Sequence, residues 1–277
     1  MVLLLSGGVA AQAPLLGLEG GWVSSIRDAA VQFTCDADQR RIRFPLRGGR
    51  LGLETHIPVG EDITGQARAT WFVPSHTNAH EALGVFPVWP DGSRTWKTEP
   101  QWYTFEGNLQ YHPSSVVGFV AGFRFDSFET DWKKPRDQVG DAGLASDEAD
   151  FSLKGFIPYI GLQIHQGPEL SLRLVGCPVF PGNVKYKETR LGRERWEGAG
   201  PISKGYFIDF VGEWSPSVLG GSAALFIQYT LLHATAPFNI TSTTAGLARD
   251  NFTLAMSVHA PILTVGGRLE LAFKSPL

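Results

Sequence analysis

The sequence predicts an all-β chain whose antiparallel strands run up and down and close into a transmembrane barrel of about ten strands, with twelve as the alternative count. Three observations carry that prediction. Apolar and polar residues alternate with period two in one segment after another, setting a greasy face against a polar one. Short turns and long connections follow each other in strict alternation, as expected of short periplasmic turns and long extracellular loops. The polar faces, read from parity alone, carry charges of both signs, which a single dry core does not hold because desolvating an ion costs several kcal/mol.

The clearest hairpin lies between Tyr103 and Phe125. Tyr103, Phe105, Leu109 and Tyr111 alternate with Thr104, Glu106, Asn108 and Gln110, the turn His112-Pro113-Ser114-Ser115 follows, and Val117, Phe119, Ala121, Phe123 and Phe125 alternate with Gly118, Gly122 and Arg124. Before it, a first strand runs from Leu16 to about Thr34. A second runs from Arg40 to Ile57, and its apolar parity changes at Gly48-Gly49, which predicts a β-bulge there. After the turn at Pro58 to Asp62 comes a strand over Ile63 to Phe72, and then a long polar loop from Val73 to Trp96.

Beyond the central hairpin the pattern gives an acidic loop from about Glu129 to Asp150, then strands over Phe151 to Ile164 and Leu170 to Val175. A third long loop, about Pro181 to Pro201, is basic. Strands over Tyr206 to Trp214 and Ala223 to Leu231, a last long loop to about Asp250, and one long strand from Asn251 to Phe273, bulged near His259-Ala260-Pro261, complete the count of ten. Both chain ends then fall on the short-turn side.

Composition agrees. The 277 residues are 43% hydrophobic and only 18% charged, with 32 glycines, which suits one large β domain. A net charge of −3 leaves no basic footprint for nucleic acid. Two cysteines, Cys35 and Cys177, form neither a disulfide framework nor a zinc motif. Residues 1–13, MVLLLSGGVAAQA, resemble a truncated signal peptide that ends in a small-x-small cleavage pattern, leaving 14–277 as a single barrel domain. No run of about 20 apolar residues occurs, so a membrane-spanning helix is not expected.

With the apolar face turned to lipid, the interior receives Glu54, Arg68, Glu106, Arg124, Asp126, Arg173, Asp209, Glu213, Arg268 and Glu270. About ten strands enclose a space only slightly wider than the eight-strand case, so these charges are expected to form a paired plug rather than an open channel. Gly20, Gly52, Gly118, Gly122, Gly161 and Gly205 are expected to make room for the long Arg side chains. Tyr111 and Trp214 beside short turns, and Trp71, Trp102, Tyr103 and Tyr206 toward long loops, are read as two interfacial belts.

The signal-like AQA, the strand, Pro-turn, strand units YHPSSVVGFVAGF, WSPSVLGGSAALFIQY and HIPVGEDITGQARATWF, and the ending GGRLELAF together resemble the small outer-membrane β-barrel proteins of Gram-negative bacteria. The resemblance spans the mature chain. It implies residence in the outer membrane, with lipid and lipopolysaccharide as partners and no cofactor. Ten strands also look like the omptin proteases, whose activity needs an Asp pair and an Asp/His pair near the loop bases. No matching motif occurs here, nor the His-x-Ser arrangement of barrel lipases, since His165 is followed by Gln-Gly-Pro.

Other clusters are weaker. Glu129, Asp131, Asp137, Asp141, Asp147, Glu148 and Asp150 lack the spacing of a calcium loop. His76, His80 and Glu81 do not make a zincin motif, and no metal ligand set is assigned. Lys185, Lys187, Arg190, Arg193 and Arg195 suit contact with lipopolysaccharide phosphates. The expectation is a non-catalytic barrel serving as envelope structure, surface contact or narrow passage. A barrel hydrolase of lipid or peptide, with its site in the external loops, is the second reading.

Overall fold

The computed structural model of the chain describes residues 15–25, 29–35, 38–44, 46–75, 77–83, 93–133, 146–190, 194–216, 223–244 and 247–272. Every regular element in it is a strand: β1 (Leu15–Ser25), β2 (Ala29–Cys35), β3 (Asp38–Phe44), β4 (Arg47–Pro58), β5 (Ile63–Pro74), β6 (Thr77–Leu83), β7 (Ser93–Thr98), β8 (Gln101–Tyr111), β9 (Val117–Lys133), β10 (Ser146–Gln166), β11 (Leu170–Cys177), β12 (Gly182–Arg190), β13 (Glu194–Pro201), β14 (Lys204–Trp214), β15 (Ala223–Thr244) and β16 (Leu247–Ala272). The signal-like segment 1–13 lies outside the described residues.

Pairing closes a ring of ten antiparallel strands in the order β1-β4-β5-β8-β9-β10-β11-β14-β15-β16, with β16 returning to β1. A second ring stacks on its far end: β2-β3-β6-β7-β9-β10-β12-β13-β15-β16, with β16 pairing β2. Only β9, β10, β15 and β16 run unbroken through both. Each of the other six barrel strands is divided in two, as β1 and β2 are on either side of residues 26–28. The molecule is therefore one tall ten-stranded barrel with both described ends on the short-turn side. Closure matters physically because only a barrel without free edges satisfies its own backbone in lipid.

The strands explain their own lengths. In β10 the outward residues Phe156, Pro158, Ile160, Leu162 and Ile164 are apolar over a segment of nine residues, which matches the roughly 9–11 residues a tilted strand needs to cross a bilayer. Large apolar side chains lie exposed on this outer face, Ile160 at 74% and Leu51 at 58%, while the residues between them point inward. A water-soluble barrel has the opposite arrangement.

Farther along the same strands the polarity inverts without any change of parity. On β9 the outward series Phe119, Ala121, Phe123, Phe125 continues as Ser127, Glu129, Asp131, Lys133, while the inward Arg124 and Asp126 give way to Phe128 and Trp132. On β10 the change falls between Phe156 and Lys154, which pair with Phe125 and Ser127, so both strands switch at one level. That level is the membrane surface. Above it the interior is an apolar core that includes Trp132, Phe151, Leu153, Phe180, Ile240 and Met256, all nearly or wholly buried. Phe151 stacks on Trp132 with centroids 6.0 Å apart.

This inversion corrects the expected bulge at Gly48-Gly49. Leu46, Arg50 and Glu54 share one parity and all face inward, and β4 pairs continuously with β5 from Gly48 to Pro58. The apolar residues change sides there because the solvent changes, not because a residue is inserted. Nor is there a bulge against β15 at Pro261, where the pairing runs on through Leu231–Pro261 and His233–His259.

The long connections also contain more structure than periodicity indicated. Pro181 to Pro201 is mostly the β12–β13 hairpin, the Val73–Trp96 loop holds β6 and part of β7, and β15 and β16 extend to within two residues of each other. Short apolar-in, polar-out strands such as β12 and β13, of nine and eight residues, are easily taken for polar loops.

The tight turn after β10 requires its glycine, since Gly167 has φ of 68°. Trp71 and Tyr103 stack at the upper edge of the belt (5.9 Å), and Tyr111 and Trp214 are exposed at the lower edge. Trp102, expected in the upper belt, is instead buried inside: it has the opposite parity to Tyr103, so the two cannot face the same side.

Candidate functional site

Below the membrane surface the barrel interior is filled by paired charges. Glu19 on β1 receives both Nε (2.9 Å) and Nη2 (2.6 Å) of Arg68 on β5, and Arg50 on β4 reaches its other oxygen at 3.1 Å. Arg50 also donates to Gln228 (2.6 Å), which with Thr230 donates to Asp209 at 2.8 and 2.6 Å. Arg173 on β11 crosses between Glu106 (3.3 Å) and Asp209 (3.7 Å). Tyr159 donates to Glu106 at 2.5 Å, and Asn108 and Gln110 both donate to Gln66.

Arg124 makes a two-pronged pair with Asp126, both contacts at 2.9 Å, and its guanidinium lies over the rings of Phe207 and Trp102 at 5.0 and 5.4 Å. The Trp102 indole donates to the same carboxylate at 2.8 Å. Near the short-turn end Arg268 gathers Glu213 (2.5 Å), Glu54 (2.7 Å) and Glu270 (3.0 Å), while His56 bonds Glu54. Fork-shaped guanidinium contacts of this kind fix geometry as well as charge.

All ten interior charges read from parity face this space and take part in the network. Sequence reasoning omitted Glu19, Arg50 and His56, and the neutral Gln66, Asn108, Gln110, Tyr159 and Gln228 that link the ions. Parity held the signal for them: Glu19 alternates with Leu18, and Arg50 shares the parity of Glu54. The glycines serve other neighbours than expected. A Cβ at Gly52 would strike Glu19, one at Gly205 would meet Phe180, one at Gly161 would strike the backbone of β11, and one at Gly118 would meet His112, while Gly17 is the glycine that abuts Arg268.

The space left is small. A cavity of about 70 Å³ opens toward the short-turn end between Arg68, Arg173, Arg268, Gln163 and Glu213. It has room for a few waters and is too small for a substrate-sized molecule. The apolar core above the membrane surface closes the other end.

The external candidates are dispersed. Lys185 and Lys187 on β12 and Arg195 on β13 project outward, Lys187 lying 3.9 Å from Asp150 and Arg195 3.0 Å from Glu197. Arg190 ends β12, and Arg193 lies outside the described residues, as do His76, Asp137 and Asp141. His80 and Glu81 sit on β6, opposite Arg43 and Ile42 of β3. Asp131 and Asp150 face each other across β9 and β10 on the outer surface. Burial, and then the Asp150 charge, push the Asp131 carboxyl above the usual range. Cys177 is a free thiol that donates to the Val179 carbonyl. Among the described residues no group of three or more His, Cys, Asp or Glu is arranged to hold a metal ion.

No protein-family model matches the chain, and no curated protein matches its sequence. Solved structures do. The outer membrane protease OmpT from Escherichia coli superposes with a TM-score of 0.69 at 10% identity, over 95% of this chain and 98% of that one. The outer membrane protein OprG from Pseudomonas aeruginosa covers 95% of this chain and 98% of its own at 11% identity, with a TM-score of 0.39. At 10% identity the first likeness establishes architecture and not activity. With a closed ten-strand ring, an exposed apolar belt and aromatic side chains at both its edges, the chain is a β-barrel of the bacterial outer-membrane type.

Proposed function

We propose that the protein is a closed, non-conducting outer-membrane barrel whose tall external half is a rigid platform at the cell surface. The observation that carries this reading is that, apart from a small cavity at the short-turn end, the described interior is filled, by ion pairs within the membrane and by apolar side chains above it. A pore would leave the charged residues lining water rather than buried against one another. Continuous strands through both halves suit a stiff support, since β9, β10, β15 and β16 carry the external half directly on the membrane-spanning one.

Lys185 and Lys187, with Lys154 beside them on β10, lie outward just above the belt, where they would meet the phosphates of lipopolysaccharide. Reconstitution into planar bilayers tests the main reading. Stable insertion without steady conductance is expected, and a steady nanosiemens-scale pore would overturn it. Binding of lipopolysaccharide by the purified barrel should weaken in a Lys154→Glu, Lys185→Glu, Lys187→Glu variant.

The likeness to OmpT, described as a protease, favours a second reading in which the external rim cuts peptide. Turnover of basic peptides or lipid by the folded barrel, lost on changing a loop acid or histidine, would establish it in place of the first.

A further inference from the structure

Two histidines at the periplasmic mouth of the lumen belong to no part of the charge network. His112 begins the turn after β8 and His165 lies near the end of β10, so the strand β9 separates them. Both nevertheless sit ring to ring, with centroids 5.3 Å apart. The residue between them on β9 makes this possible. Gly118 pairs with Gln163 of β10, and a side chain on it would lie 2.7 Å from Nδ1 of His112. With no Cβ in the way, the His112 ring leans across β9 to reach His165.

The backbone under each ring is pinned. His112 N–H donates to the Asp62 carbonyl and His165 N–H to the Val116 carbonyl, both at 2.8 Å. Gln163, two residues before His165 on the same inward face, has a buried Oε1 that accepts no hydrogen bond. The mouth thus offers two imidazoles, one unused carbonyl oxygen and access to periplasmic water.

We propose that His112 and His165 form a two-imidazole site for a divalent transition-metal ion, Zn²⁺ or Cu²⁺, at the periplasmic mouth of the barrel. Imidazole nitrogens hold zinc at about 2.0–2.1 Å, which places two rings sharing one ion at a tetrahedral angle roughly 5 Å apart between centroids. The observed separation is of that size. Neutral imidazole is a ligand of choice for both metals. Water completes the coordination, since no third His, Cys, Asp or Glu joins the pair among the described residues. The bound ion clamps the β8–β9 turn to the end of β10 across the intervening strand.

Full-length protein in detergent micelles, stripped with EDTA, is titrated with Zn²⁺ alone and with Cu²⁺ alone by calorimetry, and the copper form is read by electron paramagnetic resonance. One ion per chain is expected, with a copper spectrum split by two nitrogen ligands. His112→Ala and His165→Ala should each abolish that signature, and Gly118→Ala should weaken binding by roughly tenfold or more by displacing the His112 ring. His233→Ala should leave it intact, because the second imidazole pair, His233 and His259, lies on the outer face. Heat-modifiable gel migration of each variant separates loss of binding from loss of fold. Absence of binding to the wild type, binding retained in the His112→Ala, His165→Ala double variant, or wild-type affinity in folded Gly118→Ala would each overturn the proposal.

Discussion

The two halves of this barrel are built from the same strands with the same side-chain alternation, yet they bury opposite chemistries. Within the membrane, Arg68, Arg124 and Arg173 point inward and Phe123, Phe125 and Ile160 point out. Above it, Phe151, Leu153 and Trp132 point inward, and Glu129, Asp131 and Lys154 point out. The pleat is indifferent to which face is apolar; the surrounding medium decides. The lower half is held together by closure and by ions that bond each other and the neutral side chains set between them, the upper half by the hydrophobic effect that stabilises any soluble β protein. Two pairs of polar side chains in the upper interior satisfy each other, Thr98 with Thr130 (2.6 Å) and Tyr186 with Glu188 (2.7 Å).

The comparison makes its strongest demand at paired interior sites. Arg68→Ala removes one partner of Glu19, leaving it Arg50, and one of Glu54, leaving it Arg268, and should destabilise the barrel by up to about 3–5 kcal/mol, because two buried carboxylates are then under-compensated. Phe151→Ala should cost about 3–5 kcal/mol for the different reason that it opens a cavity. Urea unfolding in micelles, followed by tryptophan fluorescence, measures both. A silent Phe151→Ala would mean that the upper interior is not a packed core.

A pair of identical substitutions on one face of one strand sharpens the boundary. Phe123→Arg places a charge in the lipid belt and should cost roughly 2–4 kcal/mol if it lies near the bilayer midplane. Ser127→Arg, four residues on, should change stability by about 0.5 kcal/mol or less. Equal effects at the two positions would remove the membrane surface from where the polarity inversion puts it.

The smallest effect concerns the outer face of the upper half. Asp131 has its carboxyl raised above the usual range, so the folded state holds its proton more tightly than the unfolded chain. The stability linked to that proton is therefore fully present below the unfolded value and is lost as pH rises through the folded one. Asp150→Asn should remove part of that dependence and leave the part that burial causes. A carboxyl-detected NMR titration of Asp131 should move toward the ordinary carboxylate value in the variant; an unchanged midpoint would exclude Asp150 as a cause.

Sequence alone determined the strand type, the up-and-down order and the inward set from Glu54 to Glu270, because period-two alternation and turn chemistry are local; it left the count between ten and twelve, which closure of the ring decided. It also contained Glu19 and Arg50 in the right parity, each with a glycine beside it. The tertiary structure alone decided what lies against what. Parity cannot tell that Arg173 bridges Glu106 and Asp209 from three different strands, or that Gly118 opens a path between His112 and His165. Nor can it separate a bulge from a change of solvent, since both shift the apolar residues to the other parity. At Leu46 to Leu53 only the closed register of β4 against its neighbours shows that the strand stays regular and the medium outside it changes.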